Sequence, residues 1–142
     1  MGCNMHAVVA YRKRGAWDAV MAFQEWRDYA LFGALADVRT PDGIEPIASP
    51  RGLPSGFVTS SEPNDPEPYV WVSGKVWLGD HSYSWVNAEE FAEAIRRAET
   101  HVWPSGETGG LRDAEYLATL AFMRTLEERG CQDVALVFGF DN

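Results

Sequence analysis

The chain has few cysteines, few basic residues and no long apolar run. Two cysteines, Cys3 and Cys131, are too few for a disulfide framework, so we expect reduced thiols and a cytoplasmic protein. The formal net charge of −9 argues against general nucleic-acid binding, because proteins that bind phosphate backbones carry a basic surface stripe. No apolar run approaches the roughly 20 residues of a membrane span. The basic cluster Arg12–Arg14 follows the first apolar stretch, whereas a secretory signal would have it first.

The composition is that of a folded globule. A hydrophobic fraction of 46% over 142 residues is enough for one core, so we predict a single domain over residues 1–142. Seven of the eight prolines fall between Thr40 and Pro68. This density predicts a long Pro-rich loop over residues 40–68, whose acidic second half, Ser60–Pro68, we expect to be mobile.

The apolar patterns predict an α+β fold. Met5–Tyr11 and Trp17–Met21 flank a turn-forming Lys13-Arg14-Gly15, which predicts a hairpin. The other predicted elements are a helix capped by Asp28 and ended by Thr40–Gly43, extended segments Tyr69–Ser73 and Val76–Trp85, a helix with a capping box at Asn87 and Glu90, a helix over Asp113–Arg129, and a buried strand over Val134–Phe140. We therefore predict a mostly antiparallel sheet built from both chain ends and packed against two or three helices.

Leu78–Trp85 combines hydrogen-bonding side chains with aromatic rings. In an extended strand, alternate side chains point to opposite faces, which separates Asp80, Ser82 and Ser84 from His81, Tyr83 and Trp85. A serine nucleophile activated by the adjacent His81 is therefore not expected. Ligand hydrogen bonding by Ser82 and Ser84 fits better, although Ser82 could equally cap a turn. The aromatic residues, Trp85 among them, could stack on a planar ligand or belong to the core.

Two arginines are candidate anion ligands. Arg51 lies between Pro50 and Gly52-Leu53-Pro54, and such a loop can hold a guanidinium in a fixed place. The alternative for Arg51 is a salt bridge to one of the many acidic residues. Arg39, just past its helix, could be a second arm of the same clamp or could satisfy the helix C-terminus.

The three histidines show no spacing typical of a metal site, and no phosphate-binding loop is present, so we predict neither a metal nor a cofactor. His6 lies in mid-strand among apolar neighbours. Such a histidine is either a satisfied core residue or a group that binds a ligand or acts as a base.

Five blocks follow one another along most of the chain: Met1–His6, Arg27–Arg39, Pro50–Pro54, His81–Trp85 and Phe138–Asn142. In this order they resemble a widespread, largely uncharacterised family of small phage and prophage proteins that begin with Met-Gly-Cys-Asp-Ile-His. Asn4 stands where that family usually has Asp, and Asp28 where Asn is common. The resemblance implies a phage context, and hence the cytoplasm of a bacterial host, but implies no reaction.

Together these features predict a phage protein that sequesters a small anionic, nucleotide-derived signalling molecule and so evades host defence. The residues assigned to ligand binding are His6, Arg39, Arg51, Gly52, His81, Ser82, Ser84 and Trp85. The alternative is a metal-independent phosphodiesterase or related hydrolase of such a nucleotide, with His6 and His81 as acid and base. A further alternative is a module that binds a host protein through Tyr69–Trp77 and the acidic loop. A homo-oligomer that encloses the ligand between its subunits is compatible with the binding function.

Overall fold

Antiparallel strands from the two ends of the chain pair with each other at the centre of the molecule. The computed structural model describes residues 2–23, 26–104 and 113–142. In chain order its elements are β1 (Met5–Lys13), β2 (Ala16–Ala22), α1 (Tyr29–Ala36), β3 (Ser60–Glu62), β4 (Asp65–Trp71), β5 (Lys75–Trp77), β6 (His81–Asn87), α2 (Ala88–Glu99), α3 (Asp113–Glu128) and β7 (Gln132–Phe140). The predicted α+β fold class is confirmed.

The larger sheet has the strand order β2-β1-β7-β6, and all of its pairs are antiparallel. The predicted hairpin is present as β1 and β2, and the predicted buried strand is present as β7. Because β7 lies between β1 and β6, it is buried from Val134 to Phe140. This arrangement brings the last residues of the chain next to the first ones.

The larger sheet is covered on both faces. One face carries alternate residues such as Met5 and Leu136 and packs against the three helices. The opposite face, with Val8 and Val137, packs under Leu78 and the second sheet. Among the helices in the described part of the chain, none is long and apolar enough to cross a membrane.

The predicted helix caps are confirmed. Asp28 Oδ1 accepts a hydrogen bond from the Leu31 N–H at 3.1 Å. Asn87 and Glu90 exchange the two hydrogen bonds of a capping box at the start of α2. Helix α1 ends earlier than predicted, because Asp37 adopts a left-handed backbone with φ of 58°.

A second, three-stranded sheet was not predicted, and it corrects the expectation for the Pro-rich loop. Residues 60–62 and 65–71 form β3 and β4, so the irregular segment stops before Ser60 instead of continuing to Pro68. Strand β4 pairs with β5 only from Tyr69 onward. Pro68 precedes that pairing and contributes only its carbonyl, which accepts from the Leu78 N–H at 3.1 Å.

Candidate functional site

Residues from both chain ends meet where the central strand β1 begins and the central strand β7 ends. The Asn4 N–H donates to Asp141 Oδ1 at 2.8 Å, and the Asp141 N–H donates to the Asn4 carbonyl at 3.1 Å. Asn142 Nδ2 donates to the Gly2 carbonyl at 2.9 Å. We call the polar group around this contact the chain-end cluster; its members are Cys3, His6, Arg27, Arg39, Trp77, Asp80, His81, Ser82 and Asp141.

His6 forms a hydrogen-bonded pair with Asp141. The distance from His6 Nε2 to Asp141 Oδ2 is 2.8 Å, and the histidine is only 7% exposed. Burial opposes ionisation of Asp141, but the Asn4 N–H, His6 and the charge of Arg27 together hold the pKa of its carboxyl below the ordinary value. His6 is thus a satisfied strand residue whose partner is a carboxylate.

His81 contacts the same residue through the main chain. Its Nε2 lies 3.3 Å from the Asp141 carbonyl oxygen, and its ring stacks on Phe140 with centroids 6.2 Å apart. Asp80 Oδ1 is 3.9 Å from the same nitrogen. Asp141 therefore contacts both His6 and His81.

Ser82 corrects the prediction that adjacent side chains of this strand diverge. His81 pairs with Phe140 and Ser84 with Phe138, so two residues, Ser82 and Tyr83, oppose the single residue between those partners. At this bulge Ser82 has a left-handed backbone with φ of 57°. Its Oγ lies 2.8 Å from His81 Nδ1. The expected separation of His81 and Ser82 was wrong, because the alternation rule holds only for a regular strand.

Two glycines allow the bulge to form. A Cβ on Gly139 would collide with the Leu78 carbonyl and the Tyr83 ring, and a Cβ on Gly79 would collide with the backbone of Phe140. The close approach lets the Asp80 N–H donate to the Phe140 carbonyl at 2.8 Å. The segment that carries Asp80 and His81 is therefore fixed against the end of β7.

The pKa of the Cys3 thiol responds to charged groups of the cluster. Burial raises the pKa of its thiol, and the carboxylates of Asp141 and Asp80 add to that effect. The guanidinium groups of Arg39 and Arg27 act in the opposite direction. Two arginines and two aspartates therefore surround this thiol within electrostatic range.

Both of these arginines are exposed at the surface. Arg39 lies over the Tyr29 ring, 5.8 Å from its centroid, and the Tyr29 hydroxyl oxygen accepts from the Cys3 N–H at 3.2 Å. Arg27 donates from Nε to Asn4 Oδ1 at 2.8 Å. Arg27 and Asp141 are not among the predicted site residues, although both fall in blocks that carry the family resemblance.

Arg51 and three other predicted residues lie away from this cluster. The Arg51 guanidinium binds Glu90 through both nitrogens, at 2.9 and 2.5 Å, and donates to the Trp85 carbonyl. The Arg51 N–H donates to the buried Ser84 hydroxyl, and the Gly52 N–H donates to the Tyr83 carbonyl. This is the salt-bridge alternative, and the structure does not bring Arg51 and Arg39 against a common residue. These contacts fasten the loop to β6 and the start of α2.

Trp77 connects the cluster to a surface hollow. Its ring lies 4.8 Å from the His6 ring, and its buried Nε1 has no hydrogen-bond partner within the described residues. The hollow has a volume of about 350 Å³ and is lined by Glu67, Tyr69, Lys75 and Trp77. Its size is in the range of small-molecule sites.

Within residues 2–23, 26–104 and 113–142, no three His, Cys, Asp or Glu side chains lie close enough together to hold a metal ion. The third histidine, His101, packs edge-on against Trp103 and is not part of the chain-end cluster.

No protein-family model, curated protein or solved structure matches this chain.

Proposed function

We propose that the chain-end cluster binds a small anionic, nucleotide-like molecule, and that a phage uses this protein to sequester such a signal in the cytoplasm of its host. The observation that carries the proposal is that Asp141 contacts both His6 and His81, while Arg27 donates to Asn4, whose N–H in turn donates to Asp141. Arg39 lies over Tyr29, whose hydroxyl accepts from the Cys3 N–H. Guanidinium groups suit phosphate because their donors form a planar fork. The two proposed anion ligands are thus Arg39 and Arg27, and not Arg39 and Arg51 as the sequence predicted.

Charge balance supports an anion at this site. The whole chain has a formal charge of −9, yet around Cys3 two arginines offset two aspartates. The Asp141 carboxylate is already occupied by the Asn4 N–H and His6, which reduces its repulsion of an incoming anion. Because the charges balance locally, an anion meets less repulsion at this cluster than the net charge of the whole chain implies.

Other groups fit the polar and planar parts of a nucleotide. Ser82 and His81 are only partly buried and offer hydrogen bonds beside the arginines. The hollow beside Trp77 has aromatic walls on which a base could stack. The buried Trp77 Nε1 has no hydrogen-bond partner within the described residues, and an unpaired buried donor costs about 1–3 kcal/mol. A ligand that moved the atoms now covering Nε1 and supplied an acceptor would remove this cost.

The test is a thermal-shift screen with cyclic nucleotides and ADP-ribose-type compounds. Binding at 100 times the dissociation constant should stabilise the protein by about 2.7 kcal/mol. Arg39→Gln should remove the shift, whereas Arg124→Gln, which removes the same charge from an exposed position on α3, should keep it. Equal shifts in both variants would overturn the assignment of Arg39.

A second candidate function is hydrolysis of such a ligand, favoured by the contact of both His6 and His81 with Asp141. Here the two histidines would divide the acid and base roles. Mass spectrometry of the recovered ligand separates the two functions: intact ligand supports sequestration and cleaved ligand supports hydrolysis. No shift with any compound would count against both and leave the host-protein module, for which Trp71, 64% exposed, is the first residue to substitute.

A further inference from the structure

We propose that Ser82 is a nucleophile activated by His81, and that the chain-end cluster transfers a phosphoryl group from a phosphate ester to the Ser82 hydroxyl. The substrate class rests on the proposed function, whereas the activation of Ser82 rests on the geometry of the two residues alone.

The hydrogen-bond pattern assigns the roles of the two His81 nitrogens. Nε2 lies near the Asp141 carbonyl oxygen, which can only accept, so in the neutral ring Nε2 carries the proton. Nδ1 is then the free base, and it lies 2.8 Å from Ser82 Oγ. Ser82 therefore donates to His81, which is the arrangement of a nucleophile and its general base.

The surroundings of His81 suit the charged ring that forms when it takes the proton. Asp80 Oδ1, 3.9 Å from Nε2, supplies a negative charge, and Phe140 supports the ring plane. The His81 side chain is 38% exposed, so a substrate can reach the pair. These contacts position the ring without burying it.

The backbone at Ser82 is held in a form that serine rarely adopts. A left-handed backbone is unfavourable for a non-glycine residue and persists only where its surroundings impose it. Here the bulge opposite Gly139 imposes it. A regular strand would turn Oγ away from His81, so the unfavourable conformation is what creates the contact.

The reaction balances with water as the only co-reactant. Ser82 Oγ attacks phosphorus, the Oγ–P bond forms, and the bond from phosphorus to the leaving oxygen breaks. The Oγ proton passes to His81 Nδ1 and from there to the leaving oxygen. Water then attacks the phosphoserine, giving its proton to Nδ1, and the Oγ–P bond breaks as Oγ takes that proton back.

The experiment is labelling with an alkyl fluorophosphonate, followed by intact-mass measurement and peptide mapping. We expect one label, on Ser82, and a rate roughly 100-fold lower in His81→Gln, the lower end of general-base contributions. Ser82→Gly should abolish labelling while it folds at least as well, because glycine favours a positive φ. Ser73→Gly is the matched control, since Ser73 has a similar φ of 53° in the turn between β4 and β5.

Labelling of another serine, no labelling, or equal rates in wild type and His81→Gln would each overturn the proposal. Ser82→Gly also separates two failures: that Ser82 is not a nucleophile, and that the site does not bind a nucleotide-like anion. If Ser82→Gly binds a nucleotide but wild type is not labelled, the site is a binder without this nucleophile. If wild type is labelled but no anion shifts its melting temperature, the nucleophile stands and the ligand class is wrong.

Discussion

His6 and Asp141 lie 135 positions apart in the chain, yet His6 Nε2 and Asp141 Oδ2 are separated by only 2.8 Å. The contact exists because β1 and β7 are adjacent antiparallel strands, so that the start of one lies beside the end of the other. Asp141 thus contacts His6 through its carboxylate and His81 through its main-chain carbonyl. The candidate site therefore depends on the pairing of β1 with β7.

Asp141→Ala should lower the free energy of unfolding at pH 7 by about 1.5–3 kcal/mol, the range for hydrogen bonds to a charged group. The pKa of Asp141 is lower in the folded protein than in the unfolded chain. The carboxylate therefore stabilises fully above the unfolded pKa, and this contribution is lost as the pH falls through the folded pKa. Urea unfolding of wild type and of Asp141→Ala should show that the difference between their free energies of unfolding becomes smaller below about pH 4. A difference in free energy of unfolding that does not change with pH would contradict the charge argument. Asp42→Ala, which removes an exposed carboxylate, serves as the control.

Arg51→Ala should reduce stability without reducing ligand binding. The hydrogen bond from Arg51 is the main cause that lowers the pKa of Glu90, and both side chains are about three-quarters buried, with exposures of 26% and 25%. A double-mutant cycle with Glu90→Ala should therefore give a coupling free energy of about 1 kcal/mol. Loss of the nucleotide shift in Arg51→Ala, with the protein still folded, would return Arg51 to the binding site.

Local signals in the sequence predicted most of the fold. The capping box at Asn87 and Glu90 and the turn after β1 involve neighbouring residues, so their chemistry is readable without tertiary structure. The second sheet was missed because Pro66 and Pro68 argue against a strand unless the pairing of β4 with β3 and β5 is known. That knowledge depends on the partner strands, which are themselves short.

The candidate site was only partly predictable for the same reason. His6, among apolar neighbours, and His81, in a polar segment, were both candidates from the sequence. Their common contact with Asp141 depends on the pairing of β7 with both β1 and β6, which the sequence did not determine. The contact of Ser82 with His81 depends on a bulge that the packing of Leu78 and Gly79 against β7 creates. The partner of Arg51 was equally hidden, because nothing local selects Glu90 among 21 acidic residues.

Gly79→Ala should be more destabilising than Gly43→Ala. Both glycines have a left-handed backbone, with φ of +86° and +91°, so each substitution carries a cost of about 1–2 kcal/mol. A Cβ at Gly43 meets nothing within 4 Å, whereas at Gly79 it meets the backbone of Phe140. We expect a further loss of about 1–3 kcal/mol for Gly79→Ala in urea unfolding, together with loss of Ser82 labelling. Equal losses of stability would mean that the Leu78–Asp80 segment can move away from β7.

Cys3 should resist alkylation while Cys131 reacts. Cys3 is 1% exposed, and burial, followed by the charge of Asp141, raises the pKa of its thiol, so the reactive thiolate is scarce at pH 7. Cys131 is only partly buried. With iodoacetamide, Cys131→Ser should react about a hundredfold more slowly than Cys3→Ser in native buffer, because Cys3 must wait for local opening. In urea the two variants should react at similar rates, and fast native reaction of Cys3 would show that the chain ends separate readily.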